Sequence, residues 1–267
     1  MSPRSSTLPE VGTSEFDGVR YLHLGTPWVQ GAMRLDAPQR VELVYVQRML
    51  SALLWLPTAS LGEGRAVQLG LGAGTITRFT AQALKMRTTA VEINSQVVAA
   101  CRHAFRLPPD GPRLQVVIDD AGSWVRAPER RASTRLLHVD LYDEEAAAPV
   151  LDDEDFYAAC RELLDDEGVM AVNLFGRHAS FARSSQHIAA AFGSDRVWSL
   201  QPTREGNTVV VATRALPRPD GAELEARAAD LQRRFASRGL AARKWPRMLR
   251  PLLARHALSE ADKGTSC

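Results

Sequence analysis

The sequence predicts an α/β protein: a doubly wound, mostly parallel seven-stranded sheet with a C-terminal antiparallel hairpin, a small N-terminal β unit and a C-terminal helical extension. Three observations carry that expectation. Short apolar runs alternate with helix-period segments between residues 66 and 192. A glycine-rich turn, Gly70-Leu71-Gly72-Ala73-Gly74, follows the first run. Two extended runs, 196–201 and 207–213, then close the series with no helix between them.

The elements follow in order. Residues 1–16, rich in Ser, Pro and Thr, read as a disordered tail without the apolar centre of an export signal. Residues 17–64 read as a small β unit and a linking helix. Extended runs cover 19–24 and 29–35, and Val41, Val44, Tyr45, Arg48, Met49, Ala52 and Leu53 then recur at threes and fours before Pro57. The main domain spans 65–215, with strands expected at 66–70, 88–93, 114–118, 135–139 and 169–174. Helices are expected at 75–84, 94–105 (capped by Asn94), 153–167 and 179–192. Strand–helix alternation of this kind requires a parallel sheet covered on both faces. The last two runs, joined by Pro202-Thr203-Arg204-Glu205-Gly206, read as a hairpin that tucks one antiparallel strand into the sheet edge. A dinucleotide dehydrogenase would continue with strand–helix units instead; this ending resembles that of S-adenosylmethionine-dependent transferases. Residues 216–267, opening at Pro217 and Pro219, read as a basic helical extension.

Composition sets the outer limits. The chain has 267 residues, 45% of them hydrophobic and 24% charged, with a net charge of +2, which suits a folded globule without a polyanionic partner. No apolar run approaches bilayer length, so no membrane partner is expected. The Arg-rich stretch 227–255 lacks the interleaved aromatics of a base-stacking surface and reads as a solvated helix face, not a nucleic-acid site. Cys101, Cys160 and Cys267 form no CxxC pair and no even disulfide set, which points to a reducing compartment, the cytoplasm. The six histidines show no metal-ligand spacing. His138, mid-strand between Leu137 and Val139, reads as a satisfied core residue, and Trp28, Trp55, Trp124 and Trp198 read as packing residues.

The glycine turn is the first piece of a nucleotide site. Gly70, Gly72 and Gly74 allow backbone to approach a ligand closely, and the helix that follows offers free N–H groups. Glu92, ending the second strand, is placed to accept hydrogen bonds from both ribose hydroxyls, and Asp120, ending the third, from an adenine amino group. All three sit at carboxyl ends of neighbouring strands, where open α/β sheets bind ligands. The fourth strand ends Val139-Asp140-Leu141-Tyr142-Asp143, whose two carboxylates fit either a reaction cavity or a turn with a capping Asp. Asn173, on the fifth strand beside the same cavity, reads either as a substrate contact or as a residue that only ends that strand.

These motifs, in this order, resemble the spermidine synthase (polyamine aminopropyltransferase) family: Gly70 to Gly74, Val91-Glu92-Ile93, Val117-Ile118-Asp119-Asp120-Ala121, Asp140 to Asp143, and Phe156-Tyr157 before Glu167-Gly168-Val169. Upstream, Met33-Arg34-Leu35-Asp36 and Val44-Tyr45-Val46-Gln47-Arg48-Met49 are similar to its N-terminal and gate regions, so the likeness spans about 17–214. The resemblance implies Asp140 as the base toward an attacking amine, Asp143, Tyr45 and Tyr142 around a polyamine, Glu92 and Ile93 at the ribose, and Asp120-Ala121 at the adenine. It implies decarboxylated S-adenosylmethionine as co-substrate, a diamine such as putrescine as acceptor, no permanently bound cofactor or metal, and a homodimer. The chain departs from the family at Ala73, where relatives carry an acid that binds the donor's amine, and at Asp140-Leu141-Tyr142-Asp143-Glu144, which lacks the usual proline. Two alternatives stay open: a methyltransferase using intact S-adenosylmethionine, and a non-catalytic nucleotide-binding relative.

Overall fold

The computed structural model describes residues 8–142, 151–175 and 178–252. Among them, strands β4 (Arg65–Leu69), β5 (Arg87–Glu92), β6 (Leu114–Ile118), β7 (Thr134–Val139), β8 (Leu164–Phe175), β9 (Val197–Leu200), β10 (Asn207–Thr213) and β11 (Leu249–Pro251) form one sheet, in the order β11-β9-β10-β8-β7-β4-β5-β6. Strands β4 to β8 pair in parallel, and β10 inserts antiparallel between β8 and β9. The first parallel strand therefore lies centrally, and the order reverses between β4 and β7, where the strand ends diverge and leave a crevice for ligand. A separate antiparallel sheet holds β1 (Val11–Phe16), β2 (Val19–Leu24) and β3 (Gly31–Arg34).

Helices α1 (Val44–Met49), α2 (Thr75–Arg78), α3 (Ser95–Ala104), α4 (Ala121–Val125), α5 (Glu154–Leu163), α6 (His178–Phe192), α7 (Gly221–Phe235) and α8 (Trp245–Met248) clothe the sheet. Side chains of the central strands divide between its two faces. Val169, Ala171, Val209 and Val211 pack with Leu50, Leu53, Trp55, Leu224 and Phe235. Met170, Val172, Val210 and Ala212 pack with Phe156, Tyr157, Ile188 and Phe192. Alternate residues buried on both sides explain why these strands are continuously apolar in sequence. A third cluster, with Leu22, Met33, Leu71, Ala73, Val97 and Phe105, joins the small sheet to α3 and the glycine turn.

Three expectations need correction. The disordered tail of residues 1–16 is too long, because residues 11–16 form β1. That strand is exposed along most of its length and so carries no apolar pattern; Asp17 and Gly18, both at positive φ, turn it onto β2 with Phe16 opposite Val19. The sheet has eight strands and not seven, because Leu249, Arg250 and Pro251 return from the extension to pair with β9. A three-residue edge strand ending in proline has no periodicity to read, and its proline blunts the edge it creates. The helix expected over 153–167 stops at Leu163, and β8 begins at Leu164; its register slips against β7 between Thr134 and Leu136, so residues 165–168 bulge out.

Candidate active site

The glycine turn is a matter of close approach. A side chain on Gly70 would place its Cβ 2.1 Å from the Asp140 carbonyl oxygen, and one on Gly72 would meet the Gln30 carbonyl at 2.9 Å. Gly70, Gly72 and Gly74 all hold positive φ. Gln68, a polar residue within a buried strand, fixes the turn from below: its amide donates to the Gly70 carbonyl at 2.7 Å and accepts from the Thr77 hydroxyl at 2.5 Å. Sequence reasoning passed over Gln68, although a glutamine inside an apolar run is the visible signal.

Glu92 ends β5 and is half-buried. Its carboxylate accepts the Leu71 N–H and the Asn94 N–H, each at 2.9 Å, so it ties the glycine turn to the next strand. Burial pushes its pKa above the ordinary carboxylate value, and the backbone N–H groups of Leu71, Asn94 and Ile93 oppose the rise. Each oxygen keeps a lone pair for a further donor. Ile93 is 52% exposed and stands over the same cleft. Asp120 caps α4, accepting from the Ser123 N–H at 2.7 Å, and Ala121 is the first residue of that helix. Leu24, Glu92, Ile93, Asp120, Ala121 and Tyr142 line a cavity of about 130 Å³ at this end of the sheet.

Asp140 lies where that cavity meets two others. The second, of about 270 Å³, is walled by Trp28, Tyr45, Tyr142, Phe175 and Glu205. The third, of about 10 Å³, lies between Asp140, Tyr45, Thr75 and Ala73. Burial raises the Asp140 carboxyl to about 6, against the opposing effects of hydrogen bonds from Asn173 and Tyr45. The Asn173 amide donates to Oδ1 at 2.9 Å. Asn173 is itself oriented: its side-chain oxygen accepts from Asn207 at 3.1 Å, and Thr203 Oγ1 accepts the Asn207 N–H at 3.1 Å. A polar relay thus runs from the β9–β10 turn through β8 to Asp140. Sequence reasoning noted Asn173 and missed Thr203 and Asn207, which resemble ordinary hairpin residues until β10 is placed beside β8.

Tyr45 faces the Asp140 carboxylate, and burial lifts its hydroxyl well above the usual phenol value. Tyr142 presents its ring to both larger cavities, but its hydroxyl is committed, donating to the Asn173 carbonyl at 2.9 Å and accepting the Phe175 N–H. Asp143, the second expected carboxylate, lies outside the described residues. Trp28 is not a packing residue: it is 54% exposed at the mouth of the second cavity, edge-on to Phe175 with ring centroids 6.2 Å apart. His138 is fully buried, and burial lowers its pKa to about 4, so it is neutral. It is the buried core residue the sequence suggested, with its ring toward the Met49 backbone. Ala73 is buried against β3; a Cβ added to Gly31 would fall 2.5 Å from its own.

The sheet order, the inserted antiparallel strand and a cleft over the glycine turn define a methyltransferase-like Rossmann fold. The structure of a probable spermidine synthase from Corynebacterium glutamicum superimposes with a TM-score of 0.67 at 19% identity, covering 86% of this chain and 85% of that one. Human methyltransferase-like protein 13, solved with SAH, superimposes with a TM-score of 0.64 at 19% identity, covering 73% and 93%. At the sequence level, the spermine/spermidine synthase domain matches residues 69–210. A polyamine aminopropyltransferase from Neisseria meningitidis is 33% identical over 219 residues, 82% of this chain and 81% of the relative. The chain belongs to the spermine/spermidine synthase family, and it is a transferase.

Proposed function

We propose that the protein moves the aminopropyl group of decarboxylated S-adenosylmethionine to one nitrogen of a diamine such as putrescine and releases 5′-methylthioadenosine. The observation that carries this reading is Asp140, a carboxylate with a pKa of about 6 at the junction of the nucleotide cleft and an aromatic-walled cavity. At neutral pH such a group is mostly ionised yet basic enough to take a proton. The amine lone pair attacks the carbon bound to the sulfonium, the C–S bond breaks with its electrons returning to sulfur, and the proton leaves nitrogen for Asp140. The sulfonium is already activated, so the chemistry requires no metal, and the protein's task is alignment.

Glu92 would hold the ribose hydroxyls with Ile93 beside it, Asp120 and Ala121 would lie at the adenine, and the Gly70, Gly72 and Gly74 backbone beneath the sulfonium arm. Tyr45 and Tyr142, with Asp143, would frame the acceptor. The same reading places the protein in the cytoplasm as a homodimer. No described helix is long and apolar enough to cross a membrane.

The test is product analysis by mass spectrometry. Purified protein with decarboxylated donor and putrescine should yield spermidine and 5′-methylthioadenosine in equal amounts. One observation favours a second reading. Ala73, sealed against Gly31, leaves the glycine turn without a carboxylate for the donor's ammonium arm. Methyl transfer from intact S-adenosylmethionine, with no aminopropyl product, would establish that alternative.

A further inference from the structure

Resting on that reading, the geometry points to Glu205, on the β9–β10 turn, as the residue that selects the acceptor by holding its second, non-reacting ammonium group. The acceptor cavity of about 270 Å³ is lined by aromatic and aliphatic side chains, among them Trp28, Val29, Leu43 and Phe175. Its carboxylates among the described residues are Asp140 and Glu205. An apolar sleeve with an acid toward each end suits an alkyl chain carrying a cation at both ends. The methylenes lie against the rings, and Trp28 and Phe175 add cation–π attraction near the mouth.

The register supports opposite ends. Val139 pairs with Val172, so Asp140 is level with Asn173, and Asn173 pairs with Val209 two strands away from β7. Glu205 stands four positions before Val209 in sequence, toward the mouth. At about 3.3 Å per residue and 4.8 Å per strand, the two backbones are at most about 16 Å apart. Side chains reaching in from both ends leave a gap that suits a short diamine, not a longer triamine.

Glu205 is exposed and makes no hydrogen bond or ion pair within 4 Å among the described residues. Its charge is felt by Arg48, whose guanidinium is already committed to the Gln201 carbonyl. The turn carrying Glu205 is braced by Thr203 and Asn207, the same residues that orient Asn173 and through it Asp140. One hairpin thus positions both the amine-selecting acid and the base.

The experiment compares putrescine with n-butylamine, which has the same carbon chain and no second amine, in the full-length parent, Glu205→Gln and Glu205→Asp. Turnover is measured with saturating decarboxylated donor, and binding by calorimetry with 5′-methylthioadenosine present. Glu205→Gln should raise the putrescine KM and Kd about tenfold, the effect of losing one charge-assisted hydrogen bond at an exposed site. Its kcat should stay within about twofold and its n-butylamine constants unchanged. Glu205→Asp should recover part of the affinity. Equal effects on both amines, or none on either, would overturn the assignment, as would a parent that does not prefer the diamine. A parent that binds putrescine through Glu205 yet turns over no amine would leave the assignment standing and refute the aminopropyl-transfer reading instead.

Discussion

Replacing Asp140 with asparagine separates its two roles. The amide keeps an oxygen for the Asn173 donor, now 2.9 Å away, so the surrounding relay is preserved. What disappears is the proton acceptor, and general-base loss lowers turnover by about 10²–10⁴. Stability should move the other way. The carboxyl is raised from 3.8 to about 6 because burial disfavours its charge. That gap corresponds to about 3 kcal/mol at 1.36 kcal/mol per tenfold change in proton affinity. A group whose folded pKa is raised stabilises the fold fully below its unfolded pKa, and that contribution is lost as pH rises through the folded value. The parent should therefore lose up to about 3 kcal/mol between about pH 4 and pH 6, and the variant should not. Thermal melts of both proteins across that range measure the difference. At about 2–4 °C per kcal/mol for a chain of this size, the variant should melt several degrees higher at neutral pH and equal the parent in acid. Parental turnover in the variant, or identical melting curves at every pH, would refute the reasoning.

The remaining predictions concern the groups around that carboxylate. Asn173→Leu and Asn207→Leu remove or misalign the hydrogen bond that holds Asp140 down, so the acid limb of kcat/KM should shift upward from about 6 in pH-rate profiles. An unmoved limb would show that the relay does not reach the base. Glu92→Gln should weaken 5′-methylthioadenosine by about 1.5–3 kcal/mol per lost charged hydrogen bond, read by calorimetry, and equal affinity would remove Glu92 from the ribose site. The parent should discriminate only modestly between decarboxylated and intact donor, because Ala73 offers neither attraction nor repulsion; paired titrations test this. Ala73→Asp places a second carboxylate in the cavity of about 10 Å³ beside Asp140 and against Gly31, so it should lower the melting temperature without ligand. An unchanged melting temperature would show more room there than the packing allows.

Local patterns made the fold and the residues lining the cleft over the glycine turn readable. The alternation of apolar strands and helices is written in residues that each element needs for its own burial. Gly70 and Gly72 announce the turn because a side chain there would meet the Asp140 and Gln30 carbonyls, and Gly74 shares their positive φ. Glu92, Asp120 and Asp140 end consecutive parallel strands, so the position of each along its strand fixed where it would stand. The Asp17-Gly18 turn was equally legible as a hairpin signal, but the exposed strand before it hid its meaning.

The lining of the second cavity was decided by tertiary structure. Thr203, Glu205 and Asn207 lie more than sixty residues from Asp140 in sequence and reach its neighbourhood only because β10 inserts antiparallel beside β8. Trp28 becomes a cavity wall only once the β2–β3 loop folds over the strand ends toward Phe175. The raised pKa of Asp140 likewise follows from burial by elements drawn from the whole chain. Strand periodicity says which face a residue takes; what a side chain meets on that face depends on which strand lies next to it, and hydrogen bonding between distant strands sets that order.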